Sequence, residues 1–448
     1  MQGSLQKRGD FVYLISIAHF FICLVVIYTA WLLFRSNRHT LFAFVLIAFV
    51  LMDSIGLVIA PYLPLEKIKY LTNPVFLIND GDLNLYLKQV SAHWIFLIIS
   101  LLGILFEMSR TKKPKVPNIY RKSTVRMFGV LLFLIGLVAY IKYFFIGPGL
   151  QILLSTRLFF SSTSESVASR VLARKMIQYS QGAYASSLAS AIIFPVSALF
   201  FLRSLNKGKW LSFLLCAFLS FMYAYQTRQK GPLLFWFLTY FLLFALERQN
   251  IPLTEYKNIL KSKFMKLSVF VGLVGAIVLY VINFGQSLTS AIEAALARIF
   301  IIPGAVENYY FAVFPQIYNY RGIFRIFNMP LGFLPVNNDI SIYDVAQAIT
   351  GTRSSTNASF IAVAWSGAGY SGVFLASVIL VFLLIFVDIE LNRLEYKDYL
   401  EILVLSLYSL IGLNSGSIMD YISKGGIIIP LVVTFVFTLA KTKPRRLD

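Results

Sequence analysis

The fold class this sequence predicts is an all-α polytopic membrane protein of about 11 transmembrane helices, within a range of about 10–14. Three observations carry it. Hydrophobic residues fill 58% of the 448 positions and charged residues 13%, where a soluble domain carries about 25% charge. Apolar runs of roughly the 20 residues that a bilayer core demands recur along the chain. Lys and Arg gather in alternate segments between those runs, as the positive-inside rule requires. The whole chain therefore reads as one membrane-embedded domain, 1–448, whose core is a helix bundle in lipid.

The predicted spans are 11–34, 41–61, 86–108, 126–145, 186–203, 210–225, 232–246, 267–284, 358–388, 400–413 and 425–440. The first runs from Phe11 to Phe34 and ends at Arg35 rather than at a small-residue cleavage site, so it reads as a span and not a removable signal. The second carries Asp53, the exception to a near absence of mid-span charge. His93 lies near the start of the third, where a buried, hydrogen-bonded histidine is expected. The sixth, seventh, tenth and eleventh are short enough to be tilted or partly re-entrant. The ninth contains "WSGAGYSG" and is expected to break near Gly367 to Gly372.

Orientation follows from the loops. Segment 109–126 holds Arg110, Lys112, Lys113, Lys115, Arg121, Lys122 and Arg126 with no acid between them. That places it on the cytoplasmic side. Counting from it puts 35–39, 203–209, 247–266 and the tail on the same side, and the N-terminus outside. Two long segments, 146–185 and 285–357, fall on the outer face. Loops beyond about 12–15 residues are uncommon unless functional.

These two loops hold most of the candidate chemistry. In the first, Leu150, Leu153, Leu154, Phe159 and Phe160 suit an interfacial position with Arg157 on the polar side. "VASRVLARKMIQ" follows. As a helix it places Arg170 and Arg174 on one face with Lys175 beside them. Two readings stand: an interfacial helix touching lipid phosphates, or a cradle for a phosphate or pyrophosphate, which guanidinium groups grip bidentately. At "YAYQTRQKGPLL", Arg228 and Lys230 flank a turn, and Pro232 begins a helix whose N-terminus favours an anion; a snorkelling turn is the alternative. In the second loop Arg298 opens an apolar stretch ended by Pro303-Gly304; then come Glu307, a crowd of aromatics from Tyr309 to Tyr320, Arg321 and Arg325 on one possible helix face, Asp339, Asp344, and Arg353 among hydroxyl residues. Rings mixed with polar groups suit sugars, and equally an interfacial belt.

Other chemistries find little support. The histidines His19, His39 and His93 are scattered, and Cys23 and Cys216 sit in apolar runs without metal or redox spacing. No Walker loop or GxSxG elbow occurs. The net charge of +20 fits cytoplasmic loops and an anionic substrate together. Nucleic acid is excluded as a partner, because no soluble basic domain is present.

Three stretches carry a resemblance to a known family. "STRLFFSSTSESVASRVLARKMIQYSQGAYASSL", "YQTRQKGPLLFWFLTYFLL", and "LARIFIIPGAVENYY" with "NASFIAVAWSGAGYSGVFLASVILV" resemble the arginine-rich loop, the polar turn, and the second large loop with its closing helix in the Wzy-type O-antigen polymerases, oligosaccharide repeat-unit polymerases that include those of enterobacterial common antigen. The likeness covers about residues 150–390 and includes the glycine step Gly369-Tyr370-Ser371-Gly372. The run from Arg298 to Gly304 is shorter than in some members, which leaves the role of Gly304 open.

The resemblance implies a multi-pass enzyme of the bacterial inner membrane. It would transfer a growing glycan from undecaprenyl pyrophosphate to a lipid-linked repeat unit on the periplasmic side. Arg157, Arg170, Arg174, Lys175, Arg228, Lys230, Arg298, Arg321, Arg325 and Arg353 would stabilise the leaving pyrophosphate. Glu307, Asp339 or Asp344 would serve as general base. No metal and no cofactor is required where arginines carry that charge. The implied partners are the lipid-linked oligosaccharide, membrane lipid and a chain-length regulator protein. Three rivals remain, one of them a structural or scaffolding membrane protein. An O-antigen ligase relies on a loop histidine that 285–357 lacks. A transporter or flippase places its polar residues at the bilayer midplane.

Overall fold

A computed structural model of the chain describes residues 2–36, 40–59, 61, 83–110, 120–147, 149–154, 183–204, 210–226, 230–248, 300–323, 340, 342–351 and 358–441, with positions 274, 289, 292, 293, 296 and 297. Among the described residues there is no strand, and seven helices are long and apolar enough to cross a bilayer: Phe11–Arg35, Leu41–Ile59, Leu83–Ser109, Lys122–Ile146, Tyr184–Ser204, Phe360–Leu391 and Ile418–Ala440. The protein is an all-α polytopic membrane protein. Predicted spans 210–225 and 232–246 are present as shorter apolar helices. Predicted span 400–413 is a series of helical pieces, and 267–284 lies outside the described residues.

The chain folds as two compact units: Met1–Lys113 with Ala294–Asn392 and Leu410–Ile422, and Pro114–Glu293 with Arg393–Ser409 and Ser423–Asp448. The first contains α1 (Gln2–Arg35), α2 (Leu41–Ile59) and α3 (Leu83–Ser109). The second opens with α4 (Lys122–Ile146), α5 (Gly149–Leu154), α6 (Tyr184–Ser204), α7 (Trp210–Gln226) and α8 (Lys230–Arg248). The first resumes with α9 (Ile302–Val313), α10 (Ile342–Thr350) and α11 (Phe360–Leu391). Then come α12 (Tyr396–Ser406) in the second, α13 (Leu410–Asn414) and α14 (Ile418–Ser423) in the first, and α15 (Ile428–Ala440) in the second.

In the first unit α3 packs against both α1 and α11, and α2 lies against α1 and α11. The outward sides of α1 and α11 carry exposed Phe11, Leu14, Phe21, Val25, Phe374 and Phe382. In lipid such residues are simply solvated. Where α2 begins, its unpaired backbone N–H groups have no water to turn to. Asp388, near the end of α11, supplies the acceptor. Its carboxylate takes bonds from the Leu41 amide (2.6 Å), the Phe42 amide and the Thr40 hydroxyl (2.8 Å). Thr40 in turn accepts from the Ala43 amide as N-cap. A buried acid and a positive helix end thus neutralise one another.

Near its middle, at Val50–Ser54, α2 widens into a π turn. Its closing carbonyls are taken up by side chains of the neighbours. Tyr86 donates to Leu57 O (3.1 Å) and Ser16 to Val58 O (2.9 Å). The expected break in α11 is also present, at Ala368 and Gly369, and Gly369 takes a positive φ of 60°. The freed carbonyls of Ser366 and Gly367 accept from the Arg321 and Gly322 amides at 2.9 Å each, so the strand-like segment after α9 is laid along the broken turn.

The second unit is closed by an ion cluster. Arg203, in the last turn of α6, contacts Asp398 and Glu401 of α12 and lies 4.7 Å from the centre of the Phe437 ring of α15. Tyr120 donates to Asp398 (2.6 Å) and stacks on Phe437. The sequence assigned Arg203 to a cytoplasmic loop as one of its orienting cations. Its side chain engages two buried acids, a role the sequence reading did not give it. Removing the cation strands both, so Arg203→Ala is expected to cost about 3–5 kcal/mol. Thermal melting in detergent checks it. The triple change Arg203→Met, Asp398→Asn, Glu401→Gln is expected to melt closer to wild type than the single change.

Candidate functional site

The described polar residues of the first unit converge on α2's π turn. That turn carries Asp53 and Ser54, both buried. One turn of α3 presents Gln89 and His93, spaced to share a face. From α1 come His19 and Cys23, and from the N-cap of α11 comes Ser359. The fifth contributor is α9, which brings Glu307. Pro303 stands in its first turn, where a missing N–H costs nothing.

Gly304 lets α9 come this close. A Cβ added to it would stand 2.7 Å from the Asp53 carbonyl, and one on Gly56 would stand 2.9 Å from the Phe300 and Ile301 carbonyls. Two bare backbones therefore touch, and the role of Gly304 is settled as close approach. Sequence reading had Pro303-Gly304 ending an apolar stretch. The structure corrects this: the pair opens the helix that delivers Glu307.

Glu307 is fully buried and accepts from three donors. His93 Nε2 lies 2.7 Å from Oε2, Gln89 Nε2 lies 3.2 Å from the same oxygen, and the Ser359 hydroxyl takes Oε1. Gln89 also donates to the Gly304 carbonyl (2.6 Å), tying the glycine approach to the acid. Behind His93, its Nδ1 meets the Ser54 hydroxyl at 3.0 Å. His19 completes the layer. The indole N–H of Trp94 can only donate, so His19 Nδ1 accepts it (3.1 Å), and the Nε2 proton goes to the Ser54 carbonyl (3.2 Å). The two imidazoles meet edge to face at 5.9 Å, and Phe49 stacks on His93.

Asp53 differs from its neighbours. It is fully buried, and its polar partners among the described residues are the Ser359 hydroxyl and the Glu307 carboxyl. One donor atom each from Asp53, His93 and Glu307 lie within 4.8 Å of one another. Two carboxylates this close, out of water, need a proton or a cation between them. The scatter of histidines in the sequence pointed to no metal site. The fold brings one histidine and two acids together across more than two hundred residues of chain.

The described stretch of the second long loop makes a separate feature at the break of α11. Trp365 donates to the Phe314 carbonyl (3.0 Å) and packs on Phe311, Tyr320 and Tyr370. Tyr320 and Tyr370 stay exposed at 40% and 43%, leaving two ring faces open. The Tyr320 hydroxyl occupies the place a Cβ on Gly369 would need. Burial, then the neighbouring Tyr370, push the Tyr320 phenol above its ordinary range. Arg321 sits beside this ledge, half-buried.

Of the predicted site residues, Glu307 is placed in the buried cluster rather than on an open loop, where sequence reading had put it. Asp344 stands half-buried in the first turn of α10, a helix that packs on α9. Lys230 begins α8, in the second unit. Arg157, Arg170, Arg174, Lys175, Arg228, Arg298, Arg325, Arg353 and Asp339 lie outside the described residues. The expectation that His93 is buried and hydrogen-bonded holds. Sequence reasoning missed Gln89, Ser54, Ser359 and His19. The available signal was Asp53, since an ionisable residue inside a span is rarely idle.

Comparison with family models, curated proteins and solved structures returns no match. What fold and site define together is a multi-pass helical membrane protein with a buried carboxylate–imidazole cluster. The glycine contact yields a direct test. Gly304→Ala is expected to lower stability by about 1–3 kcal/mol, the cost of overpacking. An unchanged melting temperature would show that α9 does not need this approach.

Proposed function

We propose that the protein is a glycosyltransferase of the bacterial inner membrane that polymerises undecaprenyl-pyrophosphate-linked oligosaccharide repeat units on the periplasmic face, building O-antigen or a similar surface polysaccharide. The observation that carries this reading is the ledge at the break of α11, where exposed Tyr320 and Tyr370 flank Trp365 and adjoin Arg321. Aromatic faces take the apolar faces of sugars, and a guanidinium takes phosphate oxygens. Lipid-linked sugar offers both. The arginine-rich character of both outer loops in the sequence supports the same substrate.

In the proposed reaction an acceptor hydroxyl attacks the anomeric carbon of the donor sugar. The bond from that carbon to the pyrophosphate oxygen breaks, and lipid pyrophosphate leaves. Arginines aimed at the leaving group stabilise its growing charge. A carboxylate takes the hydroxyl proton. Asp344 is the better base among the described acids, because it is not sealed away. Glu307 has its lone pairs engaged by His93, Gln89 and Ser359, which suits positioning of α9 rather than contact with acceptor. A chain-length regulator protein is the expected partner.

A second reading has one observation in its favour. Ionisable groups buried at membrane depth mark coupling-ion paths in transporters, so the Asp53–His93–Glu307 cluster suits an ion-coupled flippase of lipid-linked sugar.

Surface polysaccharide from cells lacking the gene decides between these readings. Complementation with wild type is expected to restore a ladder of chain lengths, and Asp344→Asn, Arg174→Ala or Tyr320→Ala at matched expression to leave a single repeat unit on the anchor. Tyr320→Phe is expected to keep the ladder. Long polymer held on the lipid carrier and never attached would indicate a ligase. An unchanged ladder in the deletion strain would sink the polymerase reading, and repeat units retained on the cytoplasmic leaflet would favour the flippase.

A further inference from the structure

The cluster around Asp53 is not used by the reaction proposed above. We propose that Asp53, His93 and Glu307 form a buried site for one divalent transition-metal cation of the zinc or manganese type, which clamps α9 to α2 and α3. The proposal does not rest on the polymerase reading.

Two independent observations carry it. The first is the donor set. Two carboxylates and one imidazole, from three different helices, place a donor atom each within 4.8 Å of one another, all buried. Imidazole excludes a preference for sodium, magnesium or calcium, which favour oxygen alone; mixed nitrogen and oxygen favour zinc or manganese. Ligands on one such ion stand about 3 Å apart. His93 Nε2 and Glu307 Oε2, 2.7 Å apart, are already close to that spacing, so closing on an ion asks for a movement of at most about 2 Å by the Asp53 side chain. The second observation is Asp53 itself. A fully buried carboxylate whose described polar partners are one hydroxyl and a second acid, with no Lys or Arg among them, is costly. A dication neutralises both acids at once.

The surrounding bonds are those that orient metal ligands. A metal-bound His93 would present Nε2 to the ion and its Nδ1 proton to the Ser54 hydroxyl, 3.0 Å away. Gln89 and Ser359 hold Glu307 from either side. α2's π turn, which puts Asp53 and Ser54 in register with these groups, is a distortion that recurs at functional sites.

The test uses the full-length chain in detergent, purified through a tag without histidine. Elemental analysis after desalting is expected to find about one equivalent of zinc or manganese per chain in wild type and at least tenfold less in Asp53→Asn and His93→Gln. A strong chelator is expected to lower the melting temperature by about 5 °C or more. Zn2+ or Mn2+ added alone would restore it, and Mg2+ would not. Wild type free of metal, with no thermal response to either ion, overturns the proposal and leaves a shared proton between the acids. So does equal metal in wild type and both variants, which marks an adventitious ion. Should neither variant fold, X-ray absorption on the wild-type protein decides. A nitrogen and oxygen shell with one imidazole supports the site; a shell with sulfur or with oxygen alone overturns it.

Discussion

Hydrocarbon offers a protein no hydrogen bonds, so each polar group freed inside a span must find its partner within the chain. That single constraint explains most of the first unit. α2 starts in the core, and Asp388 caps its amides. It widens at Val50–Ser54, and side chains from α1 and α3 take the Ser54, Leu57 and Val58 carbonyls. α11 breaks at Gly369, and two amides of the segment after α9 take the carbonyls released there. Every departure from a plain helix is matched by a donor on a neighbour. These irregular turns therefore fix which helices lie side by side.

The same logic sorts the buried acids. Asp388 is held by a helix N-terminus and a hydroxyl, Asp398 and Glu401 by Arg203, Glu107 by Arg110, and Glu307 by three donors. Each is compensated by charge or by hydrogen bonds from a different element, so each also works as a tie between helices. Asp53 differs in that its described partners are a hydroxyl and a second acid. It is brought there by α2's close backbone contact with α9, which Gly56 and Gly304 make possible.

How much of this was legible in the sequence depends on the range of the interaction. Spans are local: about 20 apolar residues in a row announce themselves, and Phe11–Arg35, Leu83–Ser109 and Lys122–Ile146 fall where hydropathy puts them. The break at Gly369 was equally local, written as glycines inside "WSGAGYSG". The cluster was not, because Asp53, His93 and Glu307 acquire meaning only when α9 folds back beside α2 and α3. Glu307 was singled out as chemically important from its place in a polar loop, yet Pro303 and Gly304 were read as the end of a segment rather than the start of a helix. Once the loop is a buried helix, its acid changes from a group facing substrate to one facing Asp53. The partners of Arg203 were hidden for the same reason, since a cation at a helix end looks identical whether it faces headgroups or two buried carboxylates.

Two different uses of positive charge emerge from this division. In sequence, the long segments 146–185 and 285–357 are rich in arginine, a permanent cation that would suit the phosphate of the proposed substrate. Inside the first unit the chain places no Lys or Arg against Asp53 and Glu307 among the described residues, although Arg203 shows that it can bury a guanidinium where one is wanted. A long side chain would not fit where α9 and α2 touch backbone to backbone. A bare ion would, since it brings charge without volume. The close packing that Gly304 permits and the proposed choice of a small dication over an arginine are then two results of one steric condition.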